Sequence, residues 1–150
     1  MKVAPILVFP FALFLTAMSQ TPTQFLCYDV FYDNSNESLD YLACSSGSNS
    51  LENKGYATLG QLSTFPDVSG VYTVTVWDSP ACGTCYNVTY GSTTIYVLAV
   101  DTAPEGFNVA EAALNALTDG QATQFGRIDM QTTPVDARYG ELYDASQDTM

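Results

Sequence analysis

Two pairs of residues in this 150-residue chain have the types and spacing that chemistry needs. Cys82-Gly83-Thr84-Cys85 has the CxxC spacing of a redox pair or of half a zinc site. Asp101 and Glu105 lie close together in the chain, and sugar hydrolysis uses two carboxylates flanking one bond. What is missing narrows the field further. With no histidine, Ser-His-Asp and Cys-His catalysis and histidine metal sites are excluded. With 4 basic residues against 16 acidic and a formal charge of −12, the composition argues against phosphate-backbone binding, and no nucleic-acid partner is expected.

The CxxC has three readings. No βαβ pattern surrounds it, which argues against a redox pair. The remaining cysteines, Cys27 and Cys44, are too far apart to form a second zinc knuckle. An even number of cysteines in an oxidising space favours two structural disulfides, with three possible pairings. No metal and no cofactor is expected. The start of the chain fits such a space. Lys2 precedes an apolar run from Val3 to Leu15 interrupted by Pro5 and Pro10, and Ala17-Met18-Ser19 offers small residues for cleavage. That is the pattern of a secretory signal. The run is shorter than the ~20 residues of a membrane span. Residues 1–19 are therefore read as a leader and 20–150 as one exported domain, with a flexible polar tail after about residue 137.

These residues need elements to position them. Val71 to Trp77 is β-branched and aromatic throughout, and reads as a strand with Trp77 on a mostly buried pattern. Tyr86–Tyr90 and Thr94–Val100 read as a hairpin around Gly91-Ser92, which puts Asp101 at a strand end. Asn108 with Glu111 resembles a capping box opening a helix over Val109–Leu117 that stops near Gly120. Phe125–Met130 reads as a last strand. Ser45–Ser50 is a loop by composition, and Lys54–Pro66 reads as turns around short extended pieces. Short strands with one clear helix make a mainly β chain, a small closed barrel with helical decoration.

A set of blocks runs along the chain in fixed order: Tyr28-Asp29 with Tyr32-Asp33-Asn34-Ser35; Ala43-Cys44-Ser45; Lys54-Gly55-Tyr56 through Thr64-Phe65-Pro66; Trp77-Asp78-Ser79-Pro80; the CxxC; Val97 to Asp101; Gly106-Phe107-Asn108; Asn115 to Thr118; and Gly126-Arg127-Ile128-Asp129. In their order and spacing the chain resembles the cerato-platanin family of small secreted fungal proteins. The resemblance spans about Tyr28 to Asp136. The resemblance implies a six-stranded double-psi β-barrel with short helices, similar to the barrel of expansins. It implies a non-catalytic protein that binds chitin oligomers or loosens wall polysaccharide, adsorbs at interfaces, and acts on plants as a phytotoxic, defence-inducing elicitor. It also implies secretion to the fungal cell wall or beyond, and a disulfide between Cys44 and Cys82.

The family's second bridge runs from the Cys85 position to a cysteine near the C-terminus, but Val135 to Gly140 contains none. Cys27 is extra, and parity points to a Cys27–Cys85 bridge instead. Ser46 stands where the family usually has Asp, and Thr102 where it typically has His. The resemblance assigns carbohydrate contact to Asp101. Read alone, an Asp at a strand end binds nearby backbone amides. Asn108 is either a helix cap or a groove residue. Tyr28, Tyr32 and Tyr56 are expected to offer rings to sugars, with core packing as the alternative; Trp77 and Tyr86 are read as core. Glu105 reads as a solvated loop acid rather than a second catalytic group.

Asn36-Glu37-Ser38 and Asn87-Val88-Thr89 are glycosylation sequons, Asn36 being the better placed. The expected partners are N-acetylglucosamine oligomers or other neutral wall glycans, with a host plant receptor and self-association in addition. The negative field would repel polyanionic glycans and favour partly deacetylated chitin. The rival readings are a surface-active self-assembling wall protein and a weak hydrolase using Asp101 and Glu105.

Overall fold

The computed structural model describes residues 22–136, so the expected leader and the tail after about 137 lie outside the described residues. β-Branched and aromatic residues that fit a pleated surface supply the frame. β1 is Thr23–Tyr28, β2 Val68–Val71, β3 Cys85–Tyr90, β4 Thr93–Thr102, β5 Phe107–Val109 and β6 Arg127–Val135. They close into a barrel in the order β1-β5-β2-β4-β3-β6. β1 with β5 and β2 with β4 run parallel, and the other neighbours run antiparallel. The expected hairpin is present, turning at Gly91 with φ of 59° between Tyr90 and Thr93. Four short 3-10 turns lie between β1 and β2. Leu39, Leu42, Leu51 and Leu59 from this layer join Leu26, Leu98 and Phe107 of the barrel in one core. Each such side chain contributes about 1.5–3 kcal/mol on burial.

The expected strand over Val71–Trp77 is not formed beyond Val71. β2 lies between β4 and β5, and its last pairs are Val71↔Thr102 and Val71↔Phe107. Beyond them both neighbours leave the sheet, and the chain turns, with the Val74 amide donating to the Val71 carbonyl at 2.9 Å. Trp77, expected in the core, is consequently 52% exposed. β-Propensity measures packing against neighbours and gives way when those neighbours end.

The helix α1 covers Glu111–Thr118, and Asn108 is a β5 residue rather than its cap. Ala110 occupies the N-cap position, and its methyl group offers no hydrogen-bond acceptor. The cap comes from Asp33, whose Oδ2 and Oδ1 accept from the Glu111 and Ala112 amides at 2.8 and 3.0 Å. A carboxylate there satisfies two orphan donors and complements the helix dipole. The helix ends as expected, with Asp119 and Gly120 both at positive φ. A second short helix, α2 (Ala122–Phe125), precedes β6, which runs longer than the expected Phe125–Met130.

Cys44 and Cys82 are disulfide-bonded, tying the 3-10 layer to the segment before β3. The expected Cys27–Cys85 bridge is not formed, and both are free thiols. The sheet register explains this. Cys27 lies opposite Arg127 and Cys85 opposite Val135, so eight residues of β6 separate them. At about 3.3 Å per residue that is about 26 Å, far beyond disulfide reach. The two cysteines of the CxxC thus have different fates. Burial pushes the Cys85 thiol up to about 11.

Candidate functional site

The strand registers set five residues side by side across the barrel wall. Asp101 on β4 lies opposite Gly70 on β2, Gly70 opposite Asn108 on β5, Asn108 opposite Cys27 on β1, and Cys27 opposite Arg127 on β6. Residues in register share a face of the sheet. Their chain neighbours Val71, Phe107, Leu26 and Ile128 are buried in the core, so the row faces outward. Both Asp101 and Asn108 are partly exposed. The Cys27 thiol donates to Asn108 Oδ1 at 3.5 Å and to the Phe107 carbonyl at 3.6 Å.

Gly70 is buried in the middle of the row, and its missing side chain lets other groups pack directly over it. A Cβ there would meet the Thr102 carbonyl oxygen at 2.8 Å and the Tyr32 hydroxyl at 3.0 Å. The Tyr32 hydroxyl therefore lies over Gly70, and it donates to Asp101 Oδ2 at 3.2 Å. Asp101 Oδ1 accepts from the backbone amides of Ala43 at 2.9 Å and Thr102 at 2.8 Å. Three of a carboxylate's roughly four acceptor positions are thus taken, which leaves room for about one further donor. Burial, and then the Asp101 charge, push the Tyr32 phenol far above its usual range, so it remains a donor.

Asp101 and Asn108 therefore share one outward row. Tyr32 joins it through its hydroxyl only, because its ring is 4% exposed and cannot offer a stacking face. Tyr28 pairs with Val109, one step beyond Cys27, and packs against the core. Tyr56 packs against the core too, and neither tyrosine hydrogen-bonds to the row. Tyr32 and Tyr86, at 4% and 5% exposed, are core rings, while Tyr28 and Tyr56 are half-buried at the edge of the core. The exposed aromatics are others: Tyr41, Tyr72, Trp77, Tyr96 and Phe125. Trp77 is among them because the strand expected to bury it ends at Val71. Asp101 also serves the backbone-amide role that sequence alone assigns to it. Glu105 is exposed and Ser46 is exposed. Among the sequons, Asn36 is exposed in a turn, while Asn87 is half-buried in β3.

The loop expected at Ser45–Ser50 wraps the Asp78 carboxylate. The amides of Ser48 and Asn49 donate to it at 3.0 and 2.7 Å. These bonds, the Asn49 amide first, hold the carboxyl below its usual range. The Asp78 amide donates in turn to the Ala43 carbonyl, so this loop and Asp101 are linked through one residue.

A family model described as cerato-platanin matches residues 25–141. The chain belongs to the cerato-platanin family. The chain is 42% identical over 120 residues to the heat-stable 19 kDa antigen of Coccidioides immitis, covering 78% of this chain and 82% of that protein. The crystal structure of cerato-platanin 3 from M. perniciosa superposes with a TM-score of 0.76 at 42% identity, over 80% of this chain and 99% of that one. The solution structure of the fungal elicitor cerato-platanin gives 0.70 at 36% identity, over 76% and 93%. Cerato-platanin structures are double-psi β-barrels, and the closed six-stranded barrel here is one of them. The pairing of Cys44 with Cys82 that the resemblance implied is present. No helix among the described residues is long and apolar enough to cross a membrane.

Proposed function

We propose that this cerato-platanin domain is an exported, non-catalytic protein that grips neutral or weakly cationic wall glycans of the chitin type. It holds them along the row from Asp101 across Gly70 to Asn108. The observation that carries the reading is the row itself: a partly exposed carboxylate with one acceptor position open and a partly exposed amide, set on either side of a glycine over which a phenol hydroxyl packs. Such groups exchange hydrogen bonds with sugar hydroxyls. The row contains one carboxylate, and that carboxylate already binds three donors, an arrangement that suits holding a chain better than protonating a leaving group. Loosening of wall polysaccharide and elicitation through a host plant receptor are the activities we assign to such binding. The elicitor described for the related solution structure supports the second.

NMR titration with N-acetylglucosamine and cellulose oligomers tests this reading. Amide shifts centred on Gly70, Thr102 and Asn108 are expected. Saturable binding centred elsewhere, or no binding of either oligomer, refutes it. A second reading, interfacial self-assembly, draws on the exposed Val30, Tyr41, Val76 and Trp77, which are 52–74% exposed. Film formation that disappears in a Val76→Ser, Trp77→Ser double variant would support it.

A further inference from the structure

Two residues along the strands from the polar row lies a second row. Gly70 leads to Tyr72, Asn108 to Gly106, and Cys27 to Phe25, which pairs with Asp129 on β6. The Tyr72 amide donates to the Gly106 carbonyl at 3.0 Å and holds this row together. Gly106 lets β1 pass close, since a Cβ there would collide with the Phe25 carbonyl oxygen and meet the Cδ2 edge of its ring at 3.0 Å. Beside this close approach lies an open slot of about 350 Å³ lined by Gln24, Phe25, Tyr72, Pro104, Glu105 and Gly106. Tyr72 is 39% exposed, with its ring braced edge-on against Phe107 at 6.1 Å.

We propose that this slot is a subsite for a protonated amino sugar, the glucosamine unit of a partly deacetylated chitin-type chain held in the polar row. The inference rests on the glycan-binding reading above. An apolar C–H sugar face packs on Tyr72 and Pro104, the Gln24 amide meets a hydroxyl, and the Glu105 carboxylate at the rim meets the ammonium. The Arg127 guanidinium lies 3.7 Å over the Phe25 ring and occupies that face of it. Glu105 lines the slot and no basic residue does; Asp129, paired with Phe25 on β6, is a second carboxylate on the same face of the sheet. The rows are about 7 Å apart, within reach of one chain. An N-acetylated unit would bring a bulky neutral amide to Glu105 and gain no ion pair.

The test compares fully acetylated with deacetylated tetramers by NMR titration or calorimetry at low salt. The proteins are the unaltered chain, Glu105→Gln and, as a charge-matched control, Asp119→Asn at the end of α1. The unaltered chain and the control should prefer the deacetylated tetramer, and Glu105→Gln should reduce that preference by about two- to fivefold, as expected for one exposed ion pair. Added salt should reduce it likewise. Acetylated tetramer bound with no preference for the deacetylated one overturns the subsite and leaves the groove standing. An equal loss in Glu105→Gln and Asp119→Asn also overturns it, assigning the preference to overall charge. Binding of neither tetramer overturns both readings.

Discussion

The carboxylate of Asp101 does two jobs, and two substitutions separate them. Asp101→Ala removes the acceptors of three donors: the Ala43 amide, the Thr102 amide and the Tyr32 hydroxyl. Thr102 is exposed, so water replaces its partner at little cost. Ala43 and Tyr32 are 8% and 4% exposed, so their donors lose a partner where water scarcely reaches. At about 1–3 kcal/mol per buried unsatisfied group, the variant should lose about 2–6 kcal/mol in urea unfolding. Asp101→Asn keeps an amide oxygen for the backbone donors and presents an NH₂ to a Tyr32 hydroxyl that can rotate to accept it. Its cost should stay near 1 kcal/mol, the difference between charged and neutral hydrogen bonds. The Asn variant therefore reports function: a several-fold weaker glycan response in a folded barrel is expected. An Asp101→Ala protein as stable as the unaltered chain, to within about 0.5 kcal/mol, would refute the assigned bracing role.

Three other perturbations probe the frame. Burial raises the Asp67 carboxyl from 3.8 to about 6, so the stability that its neutral form supplies is full below about 3.8 and lost as pH rises through about 6. Because the group is partly exposed, Asp67→Asn should stabilise by only about 1 kcal/mol at pH 8 and by almost nothing near pH 3, read as paired urea melts. Asp33→Ala should cost about 1–2 kcal/mol and speed hydrogen exchange at the Glu111 and Ala112 amides, while an unchanged exchange pattern would contradict the capping role. Cys44→Ser with Cys82→Ser opens a link of sequence separation 38 and should cost about 4 kcal/mol by loop entropy, measured by denaturant unfolding.

What the sequence disclosed is what local chemistry controls. Gly91 signals a turn because it takes positive φ, and Asp119-Gly120 ends α1 for the same reason. What it concealed depends on partners far along the chain. The capping group of α1 is Asp33, some 78 residues away, so Asn108 was the nearest candidate and the wrong one. The strand at Val71 stops because β4 and β5 stop, which no property of Tyr72–Trp77 reveals. Counting cysteines joined Cys27 to Cys85, whereas register sets them at opposite ends of β6. The candidate row behaves likewise. Asp101 and Asn108 were legible as residues, but Gly70, which makes them neighbours, was not. Tyr32 was legible as an aromatic, and its contribution turned out to be a hydroxyl.

β6 is the strand that shuts the barrel, since it alone pairs with both β1 and β3. On a ribosome, its partners emerge first and wait with two open edges until Val135 has been made. No cylinder can form before then, and nascent chains halted within β6 should be protease-sensitive and prone to pair with one another. Closure of the barrel therefore waits on its last strand.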